Sequence, residues 1–152
     1  MTGALEVSSG MADSEVMAAI VARLKADSGT IHLIGGDGQL HLQVATPGLP
    51  PVVLNTIQTI PIGKGMAGLA AQRREPVDAC NIQTDTSGDV RPGAKVTALS
   101  GALVVPIFRG EALVGTLGVG NRSERVFAQH EIDDLMAIGR ALALHYPQAV
   151  AA

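Results

Sequence analysis

The spacing of apolar residues divides the first third of the chain into a helix and a hairpin. Residues 14–26 carry apolar side chains at helical spacing and predict an amphipathic helix. Residues 30–34 and 40–45 flank a Gly-Gly-Asp-Gly turn and predict a β-hairpin, because such turns need backbone angles that Gly and Asp tolerate. Apolar and polar residues alternate in the second strand, so we expect this hairpin near a sheet edge.

The middle of the chain is interrupted by Gly and Pro. Residues 47–59 contain three prolines and predict a loop or a brief helix. A strand is predicted at residues 59–62, a short helix at 69–73 and a further strand at 77–82. Residues 84–98 form a polar excursion with Gly and Pro, which is typical of a functional loop.

The clearest strand pattern lies in the last third of the chain. Residues 103–108 and 113–119 are near-continuous apolar runs joined by four turn residues. The short connection makes the strands antiparallel, and the lack of polar alternation predicts burial on both faces. An amphipathic helix over residues 128–146 follows and ends before Pro147. Layers must therefore cover both sides of the sheet.

Length and composition fit one folded domain. We expect this domain at residues 13–147, with flexible ends at 1–12 and 148–152. The 47% hydrophobic and 16% charged residues exclude a disordered chain. A net charge of -3 and only 2% aromatic residues speak against nucleic acid as a partner. The sequence shows neither a secretory leader nor a membrane span, which predicts a cytoplasmic protein.

The cysteine and histidine residues carry no recognisable catalytic or metal-binding pattern. The single cysteine, Cys80, excludes an internal disulfide or an all-cysteine metal site, and its neighbours favour a packed, inert thiol. We interpret His32 and His41 as solvated strand residues. No catalytic residue and no metal ligand is therefore predicted.

Three glycines formally match a dinucleotide-binding fingerprint. They are Gly63, Gly65 and Gly68, in the spacing Gly-x-Gly-x-x-Gly. The following helix is too short for such a site, and the best-defined strands are antiparallel. We therefore interpret the glycines as a structural strand-to-helix turn.

A local constellation precedes the last helix. With Ala128 as N-cap, Phe127 and Ile132 form a hydrophobic staple and Glu131 reaches back to the helix start. Arg122 is placed to pair with Glu131, so these residues are expected to stabilise the strand-to-helix junction.

A set of short motifs follows in order along the chain: Ile-Pro-Ile-Gly-Lys-Gly-Met-Ala-Gly at 60–68, Glu-Pro-Val at 75–77, Ser100, Leu-Val-Val-Pro-Ile at 103–107, Gly-Glu-Ala-Leu-Val-Gly at 110–115 and Phe-x-x-x-Glu at 127–131. In these motifs and in their order, residues 14–145 resemble the GAF domain, a small-molecule sensing module related to PAS domains.

The resemblance implies an α+β fold with a central antiparallel sheet of about six strands. Terminal helices would cover one face, and short helices and loops would roof a ligand pocket on the other. It implies a noncatalytic sensory or regulatory domain in signal transduction, whose ligand or cofactor the sequence leaves unknown and whose partner is a signalling output protein or domain. The expected ligand-binding residues are Met66, Cys80, Asp85, Arg91, Ser100 and Thr116.

Two alternatives come from the same resemblance. Asn121, Arg122, Phe127 and Glu131 look like the Asn, Lys, Phe, Asp signature of cyclic-nucleotide-binding members. A degenerate relative of free methionine-R-sulfoxide reductase is the other alternative, although the chain has no cysteine at Ala67 or within 96–100. A purely structural role and an enzyme that uses Cys80 stay open as further classes.

The terminal helices also predict a homodimer. Ile138 and Leu144 lie outside the main apolar stripe of the last helix, and Met17 and Val21 broaden that of the first. Contacts between two protomers would cover this apolar surplus.

Overall fold

One antiparallel sheet organises the part of the chain that the computed structural model describes, residues 5–84 and 99–152. Its six strands follow the order β3-β2-β1-β6-β5-β4. In chain order the elements are α1 (Asp13–Leu24), β1 (Ser28–Ile34), β2 (Leu40–Ala45), α2 (Pro51–Ile57), β3 (Thr59–Ile60), α3 (Gly65–Arg73), β4 (Val77–Ala79), β5 (Gly101–Arg109), β6 (Ala112–Asn121) and α4 (Gln129–His145). The predicted α+β class and the six-stranded sheet are confirmed.

The two terminal helices cover one face of the sheet. Ile20 of α1 and Leu135 and Leu142 of α4 are fully buried in one apolar cluster with Leu103 and Leu117 of the central strands. The helices are joined to each other by Arg23, whose guanidinium donates to both carboxylate oxygens of Asp134 at 2.8 and 3.1 Å. The prediction that β5 and β6 are buried on both faces is confirmed, because α3 contacts them from the opposite side.

The glycine-rich segment that leads into α3 contains a turn, as predicted from the sequence. Gly63 and Gly65 have positive φ angles of 93° and 65°, and the Gly63 N–H donates to the carbonyl of Gly68 at 2.8 Å. A Cβ on Gly68 would lie 2.6 Å from the carbonyl oxygen of Pro61. The three glycines therefore permit a close backbone crossing, and α3 begins at Gly65 instead of residue 69.

The C-terminal residues differ from the frayed end that we expected. Ala149 is buried, the Val150 N–H donates to the carbonyl of Ile34 at 2.9 Å, and the Ala152 N–H donates to that of Leu113 at 2.9 Å. Arg109 also donates to the carbonyl of Ala149 at 3.0 Å. Backbone hydrogen bonds thus tie the end of the chain to the sheet. The small side chains of this segment gave no pattern from which these bonds could be predicted.

The junction before α4 has the predicted cap but a different ion pair. Ala128 is the N-cap, and its N–H donates to Glu131 Oε1 at 2.9 Å. The predicted Arg122–Glu131 pair is wrong, because Arg125 contacts Glu131 Oε2. Arg125 also stacks over the Phe127 ring, with its guanidinium carbon 4.3 Å from the ring centroid.

Arg122 lies outside this junction because the chain turns directly after the end of β6, before it reaches α4. Its side chain is exposed, and its backbone N–H donates to Asp27 at 2.7 Å. Asn121 and Arg125 both donate to the carbonyl of Lys25 at the end of α1, at 3.0 and 3.3 Å. The cluster therefore ties the end of α1 to β6 and to the start of α4.

Much of the apolar surplus predicted on the terminal helices is used inside the protomer. Met17 and Ile138 are each only 2% exposed, and Val21 packs against the same core. Leu144 is 79% exposed. Packing on the sheet therefore explains most of the breadth of the apolar arcs. Of the four residues predicted to contact a second protomer, Leu144 is the one with a largely exposed side chain.

Candidate functional site

A cavity of about 190 Å³ lies between the sheet and the short helices α2 and α3. Val53 and Ile57 of α2 line one wall, and Met66 and Ala67 of α3 line another. Ile82, after β4, adds a further apolar side chain. Concave, mostly apolar surroundings of this kind are typical of small-molecule sites.

Three adjacent strands form the floor of the cavity, and each contributes one row of residues that face it. β1 contributes Ser28, Thr30 and His32; β6 contributes Gly118 and Gly120; and β5 contributes Ala102 and Val104. Strand register places Thr30 and Val104 on opposite sides of Gly118, since both are its Cα partners. The floor is therefore polar on one side, bare in the middle and apolar on the other side.

The bare middle row comes from glycine. A Cβ on Gly118 would lie 3.3 Å from both Thr30 Oγ1 and Val104 Cγ2, and a Cβ on Gly120 would lie 2.9 Å from Leu99 Cδ1. Side chains at these positions would occupy the space above the sheet. Gly118 therefore keeps the cavity open, and Gly120 makes room for the Leu99 side chain.

His32 is the polar residue most deeply placed in this site. It is 2% exposed, and its Nε2–H donates to the carbonyl of Ile57 at 2.8 Å. Burial lowers the pKa of His32 below its usual 6.5; the hydrogen bond to Ile57 acts in the opposite direction, and nearby His41 lowers the pKa further. The ring is thus neutral at pH 7, and the prediction of a solvated strand histidine is wrong for His32.

The expected ligand-binding residues are only partly brought together. Met66 lines the cavity. Thr116 lies beyond the lining residues on the same sheet face, opposite His32, and its Oγ1 is buried without a hydrogen-bond partner among the described residues. Asp85 and Arg91 lie outside the described residues.

Cys80 and Ser100 lie outside the cavity lining. Cys80 is exposed, so the interpretation as a packed thiol is wrong, and its carbonyl accepts a hydrogen bond from the Arg125 N–H at 3.1 Å. Ser100 uses its backbone groups to join Asn121 and Ile82 at 2.7 and 2.6 Å. Both residues stand at the strand ends, where backbone pairing decides their position.

Few formal charges surround the cavity. Among the described residues that line it, Lys64 is the only charged one, and it is exposed at the start of α3. The described residues also contain no group of three His, Cys, Asp or Glu that would hold a metal ion. The chemistry of this part of the site is therefore that of hydrogen bonds and apolar contact.

Sequence reasoning missed the polar row of β1 and the glycine row of β6. The alternation Ser28-x-Thr30-x-His32 places three polar side chains on one face of a strand. Gly118 and Gly120 repeat the same spacing on the neighbouring strand. Only the pairing of β1 with β6 shows that the two patterns meet.

An antiparallel sheet with terminal helices on one face and a roofed cavity on the other defines the fold that the sequence motifs implied. The chain belongs to the GAF domain family, whose model matches residues 14–145. No curated protein matches the chain. No helix among the described residues has the length and apolarity required to cross a bilayer.

Solved structures show the same fold at low sequence identity. The GAF domain of a phosphoenolpyruvate-protein phosphotransferase from Acinetobacter has a TM-score of 0.73 at 21% identity, covering 93% of this chain and 84% of that one. The GAF domain of a two-component sensor histidine kinase from Bacillus halodurans has a TM-score of 0.67 at 20% identity, covering 90% and 94%. Free methionine-R-sulfoxide reductase from Neisseria meningitidis, solved with its substrate, has a TM-score of 0.70 at 17% identity, covering 89% and 75%.

Proposed function

We propose that this GAF domain is a noncatalytic sensory module that binds a small molecule in the cavity between the sheet and α2 and α3. The observation that carries the proposal is the open floor at Gly118, where the lack of a side chain leaves space beneath an apolar roof. Similarity to the GAF domain of a sensor histidine kinase supports a role in signal transduction, with a signalling output protein or domain as partner. The expected setting is the cytoplasm.

The volume of the cavity limits the size of its occupant. A cavity of about 190 Å³ is smaller than the roughly 300 Å³ at which pockets for drug-sized ligands begin, and a cavity of about 150 Å³ is enough to hold benzene. We therefore expect a ligand of one or two rings. The residues of the cyclic-nucleotide signature do not favour that alternative, because Asn121, Phe127 and Glu131 already serve the junction before α4.

Mass spectrometry of the purified protein tests this proposal. Native and denaturing spectra are compared for the wild type and for Gly118→Ala, whose methyl group would lie in the floor of the cavity. The control is Gly36→Ala in the β1–β2 turn, where a Cβ meets no atom within 4 Å. A small molecule retained by the wild type and by Gly36→Ala but lost from Gly118→Ala is the expected result; equal retention by all three would contradict the cavity as its site.

A reductase assay tests the noncatalytic part of the proposal. Cys80 is exposed and is the single cysteine of the chain, so a thiol–disulfide cycle within one chain has no second thiol. We expect no turnover of free methionine-R-sulfoxide with thioredoxin or glutathione. Turnover that Cys80→Ser abolishes would overturn this assignment.

Dimerisation through the terminal helices is a separate part of the proposal. The exposed Leu144 on α4 supports it. We expect the wild type to sediment as a dimer and Leu144→Glu to shift it toward the monomer. A monomer at every concentration tested would remove this part without affecting the cavity.

A further inference from the structure

The floor of the cavity separates polar from apolar side chains across the width of one strand. Ser28 pairs with Gly120 and Thr30 with Gly118, while the same two glycines pair on their other side with Ala102 and Val104. Directly opposed residues of antiparallel strands point to the same face. Any molecule that lies on the glycines therefore meets hydroxyl groups along one edge and hydrocarbon along the other.

The glycine row also sets the shape of the occupant. Gly118 carries no side chain, so the backbone of β6 is exposed to the cavity there, whereas Leu99 covers the position above Gly120. Thr30 Oγ1 and Val104 Cγ2 stand at equal distances of 3.3 Å from the point where a Gly118 Cβ would lie. Because a single added carbon would already crowd both atoms, an occupant lies across Thr30 and Val104 and does not enter the gap between them, and a flat ring spans the two side chains in this way.

The polar edge offers hydrogen bonds without formal charge. The hydroxyl groups of Ser28 and Thr30 each donate and accept hydrogen bonds. His32, next in the same row, uses Nε2–H on the carbonyl of Ile57, so its neutral ring keeps Nδ1 as an acceptor. Among the described lining residues the one charge is that of Lys64, which is exposed at the start of α3, so a charged group along the β1 row would lose its hydration without a buried opposite charge beside it.

We propose that the ligand is a flat, uncharged ring compound whose polar edge, carrying an N–H or O–H donor, lies along Ser28, Thr30 and His32 while its apolar edge contacts Ala102 and Val104. The inference rests on the proposed function and adds the chemical class and the orientation of the ligand. In this proposal, the β1 row selects the hydrogen-bonding groups of the ligand, and Gly118 of β6 selects its flat shape.

Three ring probes of similar size test this assignment by calorimetric titration of the full chain. Indole carries one N–H donor, indene has the same ring outline without a polar atom, and indole-2-carboxylate adds a negative charge. We expect indole to bind about tenfold more tightly than indene, as one well-placed hydrogen bond allows, and more tightly than the carboxylate. The preference for indole over indene should fall at least about threefold in the double variant Ser28→Ala/Thr30→Val, because the hydroxyls leave while the shape is nearly kept.

Thr59→Val is the matched control for the change at Thr30, since it makes the same substitution at an exposed strand position outside the cavity lining. Its preference for indole should equal that of the wild type. Equal binding of indole and indene by the wild type, an unchanged preference in the double variant, or tighter binding of the carboxylate would each overturn this inference while leaving the cavity as a binding site. If none of the three probes binds, the proposed function for ligands of this size fails as well.

Discussion

The two faces of the sheet are built on opposite principles. On the face under α1 and α4, large side chains such as Ile20, Leu117 and Leu135 are fully buried and fill the space between sheet and helices. On the face under α2 and α3, the central strands present glycine, short polar residues and a cavity. Dense packing contributes stability and empty space does not. The face under α1 and α4 therefore stabilises the fold, and the face under α2 and α3 is available for a ligand.

Strand β6 shows how one segment serves both faces. Leu117 and Val119 point into the filled core, while Gly118 and Gly120 lie on the face of the cavity. The run Leu-Gly-Val-Gly therefore alternates large and absent side chains. A register shift of one residue would exchange the two sets and remove both core and cavity.

Truncating one isoleucine on each face should give the largest contrast. Ile138 is buried in the filled core, whereas Ile82 lines the existing cavity. We expect Ile138→Ala to lower the free energy of unfolding by about 4 kcal/mol and Ile82→Ala by about 2 kcal/mol, because only the former creates a new void among packed atoms. Urea unfolding measures both values, and equal losses would contradict the distinction between the faces.

Arg125→Ala should have the next largest effect, on the cluster that closes the end of the filled face. Arg125 contacts Glu131, donates to Asn121 Oδ1 at 2.8 Å and stacks on Phe127. We expect its removal to cost about 1–3 kcal/mol of unfolding free energy.

The control for this variant is Arg122→Ala. Since the Arg122 side chain is exposed, we expect a change within about 0.5 kcal/mol by the same denaturation assay. A larger loss at Arg122 than at Arg125 would restore the pairing that the sequence suggested.

The buried histidine on the cavity face should make stability depend on pH. The folded-state pKa of His32 lies below the 6.5 of an exposed histidine, so the unfolded chain takes up this proton first as the pH falls. Its contribution to stability is therefore complete above about pH 6.5 and is lost as the pH falls toward the folded-state pKa, with a slope of at most about 1.4 kcal/mol per pH unit.

Thermal denaturation between pH 7.5 and 5.5 measures this dependence. His32→Gln should flatten the curve relative to the wild type, because the proton-binding group is gone. His130→Gln, at an exposed position in the first turn of α4, serves as the control and should leave the His32 contribution in place. A curve for His32→Gln parallel to that of the wild type would exclude His32 as the linked group.

The smallest expected change is a gain in stability at Thr116. Within the part of the chain that the structure describes, its buried hydroxyl has no hydrogen-bond partner, which is costly in an apolar setting. Thr116→Val should therefore raise the free energy of unfolding by about 1 kcal/mol. A loss of similar size would mean that the hydroxyl has a partner, such as a bound water, in solution.

Local patterns in the sequence were sufficient to predict most of the secondary structure. The apolar runs of β5 and β6 predicted two strands buried on both sides, and the spacing around Phe127, Ala128 and Glu131 predicted the start of α4. Gly63, Gly65 and Gly68 were interpreted correctly as a structural strand-to-helix turn, although α3 already begins at Gly65. These features depend on residues close together in the chain, so periodicity and turn chemistry report them directly.

Tertiary structure decided which residues meet. The pattern of its own strand predicted that His32 is solvated, but α2 covers this residue and supplies the carbonyl of Ile57 as its hydrogen-bond acceptor. Glu131 pairs with Arg125 instead of Arg122, because the path of the chain after β6 and the end of α1 orient both arginines. The cavity likewise exists only where β1, β6 and β5 lie side by side under α2 and α3. Contacts between residues distant in the chain depend on strand order and register, which the pattern of a single segment does not contain.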